Sequence, residues 1–166
     1  MEWDAFRAAA PELAALGEEQ FKKTSLCILG TIRKDGSARV SPCEIYIVDG
    51  ELLLGMMWQS RKALDLIRDP RIAVHTAQCD RNGTEGDVKL YGKVRDVTDP
   101  GLRERYGDTL QAAIDWRPEE PYHLFALDIE RAAFIRFGEG RKALRWDAER
   151  GLERIRHPDD KEEPPG

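Results

Sequence analysis

Six consecutive residues, Gln59-Ser60-Arg61-Lys62-Ala63-Leu64, combine types that could hold an anion. Ser60 has the character of a helix N-cap, because its hydroxyl can accept a hydrogen bond from an amide that the first turn leaves unpaired. Arg61 and Lys62 then place two cations in that first turn, where the helix dipole already presents partial positive charge and a basic residue costs about 0.3–1 kcal/mol. A helix selected for stability alone would carry Asp or Glu there. Amide N–H groups, a hydroxyl and two cations directed at one spot make a receptor for an anion, most simply a phosphate group. The plainer alternative is an ordinary cap with two cations pointing into water, so the flanking chain has to decide.

The helix opened by Ser60 is expected to run to Asp69 and to be stopped by Pro70. Residues 2–23 read as helical, with Pro11 in a first-turn position and Leu13, Leu16 and Phe21 on a partial apolar face that would cover one open side of a sheet. From Ser25 the period becomes two. Segments 25–33, 38–48 and 51–57 are separated by Asp35-Gly36 and Asp49-Gly50, dipeptides favoured in tight hairpin turns, and predict a three-stranded antiparallel meander. Strands at 71–77 and 87–97 follow; in the second, Val88, Leu90, Gly92 and Val94 take the core face, and Asp87, Lys89, Tyr91 and Lys93 the other. Asp99-Pro100 opens another helix with Leu102, Tyr106, Leu110 and Ile114 as its buried stripe, and 116–121 reads as a proline-punctuated loop. Further strands are expected at 123–129 and 132–137, with a short one at 143–146. The fold class is mainly β: a six- to seven-stranded antiparallel barrel of Greek-key type with flanking helices, forming one domain over 1–147. The charged stretch 148–166 has little to bury and is expected to be disordered.

At 166 residues the chain fits a single domain, and 34% charged with 41% hydrophobic residues is ordinary for a globular protein. A net charge of −5 and a pI near 5.3 argue against nucleic acid or an anionic membrane as main partner. The longest apolar run, 52–58, is too short to span a bilayer, and no signal-peptide pattern opens the sequence, so a cytoplasmic location is expected. Cys27, Cys43 and Cys79 are odd in number and lack disulfide or zinc spacing. His75, His123 and His157 form no ligand cluster, so no metal site is expected; His75, between Val74 and Thr76, reads as a core or groove histidine. No Gly-rich phosphate loop is present. A nucleotide would have to be held another way, and the second strand suggests how. Arg39 and Ser41, two residues apart, project from one face and could join Ser60, Arg61 and Lys62 around one phosphate. Met56, Met57 and Trp58 would offer apolar surface to a flat ring; on the competing reading Arg39 is an edge residue reaching to solvent.

The ordered set Gly30 to Pro42 (GTIRKDGSARVSP), Ser60-Arg61-Lys62-Ala63 and Asp69-Pro70-Arg71-Ile72-Ala73-Val74-His75 resembles the FMN-binding split β-barrel proteins related to pyridoxamine 5′-phosphate oxidase. The resemblance covers roughly 21–99 and continues more loosely to 146. It implies that Arg39, Ser60, Arg61 and Lys62 hold the flavin phosphate, with Val40, Ser41, Met56 and Met57 along the cofactor. It also implies a homodimer with the cofactor at the subunit interface, completed by Asp87 and Lys89 from the partner. The implied activity is FMN-dependent hydride transfer to or from a small organic molecule, with no catalytic acid or base named. Alternatives within the resemblance are use of the deazaflavin F-420 and a non-catalytic flavin- or haem-binding role. The stretch 137–146 lacks the arginine–histidine–arginine pattern by which the oxidase proper recognises pyridoxal phosphate, which argues against vitamin B6 oxidation. Asp65, Asp69 and Glu44 leave few cations for the deazaflavin's acidic tail, so FMN is preferred.

Overall fold

The change of period at Ser25 marks the start of the sheet, and Pro11 divides the helical segment before it. The computed structural model describes residues 1–77, 80–158 and 160. Two helices, α1 (Trp3–Ala9) and α2 (Pro11–Thr24), precede β1 (Leu26–Ile32), β2 (Ala38–Glu44), β3 (Tyr46–Val48) and β4 (Glu51–Met57). Then come α3 (Arg61–Arg68), β5 (Arg71–Thr76), β6 (Asp87–Asp96), α4 (Pro100–Ile114), β7 (Tyr122–Arg136), β8 (Lys142–Asp147) and β9 (Gly151–Arg154). Among the described residues no helix is long and apolar enough to cross a membrane.

All the strand pairs are antiparallel, in the order β2-β1-β5-β6-β7-β4-β3, with β8 on the far half of β7 and β9 on β8. The hydrogen-bonded path ends on β2 and β3 without closing, so the barrel is split. The expected meander is corrected here: the segment 38–48 breaks at Ile45, whose side chain enters the core. Its first part pairs only with β1 and its last part only with β4. Asp49 and Gly50, with φ of 50° and 78°, make the β3–β4 turn in the left-handed region where glycine is at home. The two strands expected at 123–129 and 132–137 are one, because the apparent interruption at Glu130 is a bulge: Tyr91 pairs with Arg131 and Gly92 with Ile129. The chain also stays ordered past 147, where Gly151–Arg154 adds a strand and Leu152 packs on the core; the end of the expected tail, 161–166, lies outside the described residues.

Two apolar cores result. The larger fills the barrel, with Trp3 and Phe6 of α1 packed edge-on against Phe21 and Trp146 to stop one opening. The smaller lies on the outer side of β4 and β7, under Leu102, Tyr106 and Leu110 of α4. Ile114, expected in that stripe, is instead exposed, one turn beyond the end of the sheet contact. Helix α3 buries Ala63 and Leu66 in the larger core beside the gap between β2 and β4. A thiol hydrogen bond crosses that gap, Cys43 Sγ donating to the Gly55 carbonyl at 3.3 Å.

Candidate anion site at the start of α3

Helix α3 forms where the sequence placed it, with Ser60 as N-cap residue in extended conformation and no acidic residue in the first turn. The cap itself is unusual. Ser60 Oγ accepts from no amide, is buried, and has no hydrogen-bond partner among the described residues. The amides of Arg61, Lys62 and Ala63 likewise have no acceptor among the described residues; the first one satisfied is Leu64, bonded to the Ser60 carbonyl at 3.0 Å. A buried hydroxyl without a partner costs about 1–3 kcal/mol, so a helix start in this state fits an arriving acceptor better than it fits a finished structure. Arg61 is exposed and makes no ion pair among the described residues.

Strand β2 runs alongside. Arg39 Nε donates to Asp65 Oδ2 at 2.6 Å, and Lys62 Nζ donates to the Pro42 carbonyl at 2.5 Å. These two contacts fasten α3 to β2 at both ends of the segment 39–42, with Ser41 between them. Among the described residues Arg39 uses only Nε, which leaves both terminal guanidinium nitrogens for a ligand. The anchor is Asp65, only 4% exposed, which also accepts from Thr31 Oγ1 at 3.1 Å and Arg68 at 3.3 Å. Burial pushes the Asp65 carboxyl up, but the hydrogen bonds from Arg39, Thr31 and Arg68 outweigh it and hold the group below the usual carboxylate range. The sequence reading put Arg39 on the anion directly; it is partnered by a carboxylate on the helix, which aims it.

The turn into α3 is held from a third side. Gln59 takes φ of 58°, and its amide donates to His123 Nε2 at 3.2 Å, so that nitrogen carries no proton. The imidazole lies between Trp58, stacked at 4.5 Å between centroids, and Phe125 at 6.0 Å. A cleft of about 720 Å³ opens beside Lys62 and passes Met56, Met57 and Trp58 to Tyr106 and the loop from Trp116 to Tyr122.

Of the residues singled out from sequence, Arg39, Ser41, Ser60, Arg61 and Lys62 are brought together. Val40 is 72% exposed on the opposite face of β2 from Arg39. Met56 points into the barrel core and only edges the cleft, whereas Met57 is 78% exposed beside it. Asp87 and Lys89 are not in the cluster: β6 stands three strands from β2, about 14 Å away. There they form a separate group with His75, whose Nε2 is 3.5 Å from Asp87 Oδ1 and whose side chain is part-exposed on the sheet face rather than in the core. Cys27 and Cys43 are buried and free; Cys79 lies outside the described residues. Sequence reasoning missed the anchoring role of Asp65 and the contribution of His123. The first shares a helix with Lys62 at i+3; the second is joined to Met56 only by the β4–β7 register, which has no local signal.

An antiparallel split barrel with an open helix start beside its gap defines a class of small split β-barrels. Residues 15–136 match the pyridoxamine 5′-phosphate oxidase family, and the chain belongs to it. No curated protein matches the chain. Among solved structures it is similar to ChuZ of Campylobacter jejuni, with a TM-score of 0.69 and 11% identity over 85% of this chain and 61% of that one. It is also similar to a heme binding protein from Mycobacterium smegmatis, with a TM-score of 0.60 and 17% identity over 78% of this chain; it spans 57% of that protein's length. A protein of Clostridium acetobutylicum related to general stress protein 26 superposes with a TM-score of 0.62 and 16% identity over 82% of this chain and 96% of that one. At these identities the similarities establish the fold.

Proposed function

We propose that the chain binds FMN by its phosphate at the start of α3 and serves hydride transfer to or from a small organic molecule. The observation that carries this reading is the buried Ser60 hydroxyl left, among the described residues, without a partner, beside three amides without acceptors and an Arg61 without an ion pair. Bound FMN supplies the redox chemistry. The chain's own residues have the tasks of holding the phosphate through Ser60, Arg61, Lys62 and the free end of Arg39, and of presenting Met57 and Trp58 to a flat ring. A deazaflavin has less support because the cleft beside the α3 start is lined by Glu44 and Glu119 and by Lys62 as its one cation, which leaves no further cation for the acidic tail. Haem, for which the mycobacterial neighbour is named, has less still: His123 Nε2 is taken by the Gln59 amide and His75 faces Asp87. Riboflavin gives the sharpest test, since it carries the same ring without the phosphate. FMN is expected to bind about 100-fold or more tighter than riboflavin, as two or more charge-assisted hydrogen bonds imply. Equal affinities, or tighter binding of haemin or of the deazaflavin, would sink the proposal.

A homodimer belongs to the same reading. Pro42, Ile28, His75 and Lys89 lie in one row across β2, β1, β5 and β6, and the β1–β2 end of that outer face exposes Leu26, Ile28 and Val40. An exposed apolar patch on a small barrel is a candidate for twofold association. A twofold axis near it would carry Asp87 and Lys89 of one copy toward the α3 start of the other. Sedimentation at micromolar concentration is expected to give a dimer; a monomer that still holds FMN would refute this part.

A further inference from the structure

The cleft beside α3 extends well past the groups assigned to the phosphate, and its far end has a chemistry of its own. The floor there is Gly55 of β4, covered by Tyr106 of α4: a Cβ at position 55 would collide with the Tyr106 hydroxyl. Tyr106 is 1% exposed, and its hydroxyl has no hydrogen-bond partner among the described residues. Burial, and after it the charge of Glu44, pushes this phenol up, so it stays a protonated donor. A donor that lines a cavity and meets no acceptor there is a group that a ligand can engage. Around it the walls are Trp116, Pro118, Pro121 and Tyr122.

The charges lining the cleft are unevenly placed. Glu44 and Glu119 line it, whereas its one lysine, Lys62, sits at the α3 end with Nζ on the Pro42 carbonyl. Two arginines stand behind the Tyr122 side and are both engaged. Arg103 lies over the Tyr122 ring at 4.2 Å and binds Glu120, while Arg117 pairs with Glu104 and Asp108. An anionic ligand at the Tyr106 end would meet carboxylates and no free cation among the described residues. A ring with a neutral acceptor, or one bearing an ammonium group, would meet apolar walls, a donor hydroxyl and Glu44.

Resting on the flavin reading above, we infer that the Tyr106 end of this cleft is the substrate seat and takes a flat aromatic molecule that is neutral or positively charged, not a phosphorylated or carboxylated one. At about 720 Å³ the cleft lies in the upper part of the range for small-ligand pockets, so a second ring has room beside one seated at the Lys62 end. Tyr106 would orient the ligand through its hydroxyl, and Glu44 would set the charge preference.

Three probes of one ring size test this by calorimetry on the full FMN-loaded chain: 2-naphthol, 2-naphthylmethylamine and 2-naphthoate. The first two are expected to bind, and the naphthoate to bind about 10-fold or more weaker, as an unpaired buried charge requires. Tyr106→Phe, which keeps the ring and removes the donor, should weaken 2-naphthol about 3- to 10-fold while FMN affinity and melting temperature stay unchanged. Glu44→Gln should narrow the preference for the amine over the naphthoate, with Glu119 and the unpaired carboxylate of the probe keeping part of it. Naphthoate binding as tightly as the other two, or Tyr106→Phe leaving 2-naphthol unaffected, overturns the inference. Competitive displacement of FMN by 2-naphthol also overturns it, because the seat would then be the flavin ring's own. The two readings fail separately. If FMN does not bind but the probes keep this order on the full cofactor-free chain, the flavin proposal falls and the aromatic seat stands; if FMN binds and no probe does, the reverse holds.

Discussion

Arg61→Ala is expected to weaken FMN binding about 10- to 150-fold, the loss of one charge-assisted hydrogen bond of roughly 1.5–3 kcal/mol. The same change should leave the melting temperature of the cofactor-free protein unchanged or slightly raised. Both signs follow from the start of α3. Arg61 is exposed, has no carboxylate partner among the described residues, and sits where the helix dipole disfavours a cation. Lys62→Ala should lower FMN affinity by a similar factor but not share the neutral stability, because its ammonium group ties α3 to the Pro42 carbonyl of β2. The pair of variants therefore separates a residue kept only for a ligand from one that also holds the fold. Flavin fluorescence measures the affinities, and melting without cofactor measures the stabilities. Unchanged FMN affinity in both variants would mean that the helix start does not hold the phosphate.

The elements around this site were legible to different degrees, and the reasons are local. The start of α3 could be placed from Ser60 and Pro70, because caps and prolines act on the backbone within one turn. The alternation in β6 put Val88, Leu90 and Val94 in the core, since one face of that strand meets mostly apolar neighbours. What could not be read was pairing. Ile45 fits an unbroken strand by composition, yet it marks the place where the chain leaves β1 and goes to β4, a choice made by partners distant in sequence. Glu130 looks like a break and is a bulge, because Gly92 opposite it lets the Asp128 carbonyl come close. In the site, residue types named the cations correctly but not their counter-ion. Asp65 looked like a charge that weakens an anion site, and only its position between Arg39, Thr31 and Arg68 shows that it aims one of the site's arginines.

That role of Asp65 makes its replacement the second large effect. Asp65→Asn keeps the shape and removes the charge, leaving Arg39 and Arg68 without their shared counter-ion and a nearly buried amide in a position built for a carboxylate. Breaking a buried pair by removing one partner costs about 3–5 kcal/mol; because the two arginine side chains are 24% and 38% exposed, solvent screening reduces the expected loss here to about 2–3 kcal/mol. For a domain of this size that is a fall in melting temperature of roughly 4–12 °C. Arg39→Ala should also destabilise the cofactor-free protein, since it strands the buried Asp65 carboxylate, and in this it differs from Arg61→Ala. It should lower FMN affinity as well, because the free end of Arg39 goes with it. The pH dependence has a definite sign. The Asp65 carboxyl is held low in the folded protein, so its stabilising contribution is complete above the unfolded aspartate value of about 3.9 and is lost as pH falls through the lower folded value. Wild type and Asp65→Asn should therefore differ most in melting temperature at neutral pH and converge on acidification below that range. A gap that stays constant to the acid limit would show that the loss comes from altered packing, and that Arg39 is positioned by something other than the Asp65 charge.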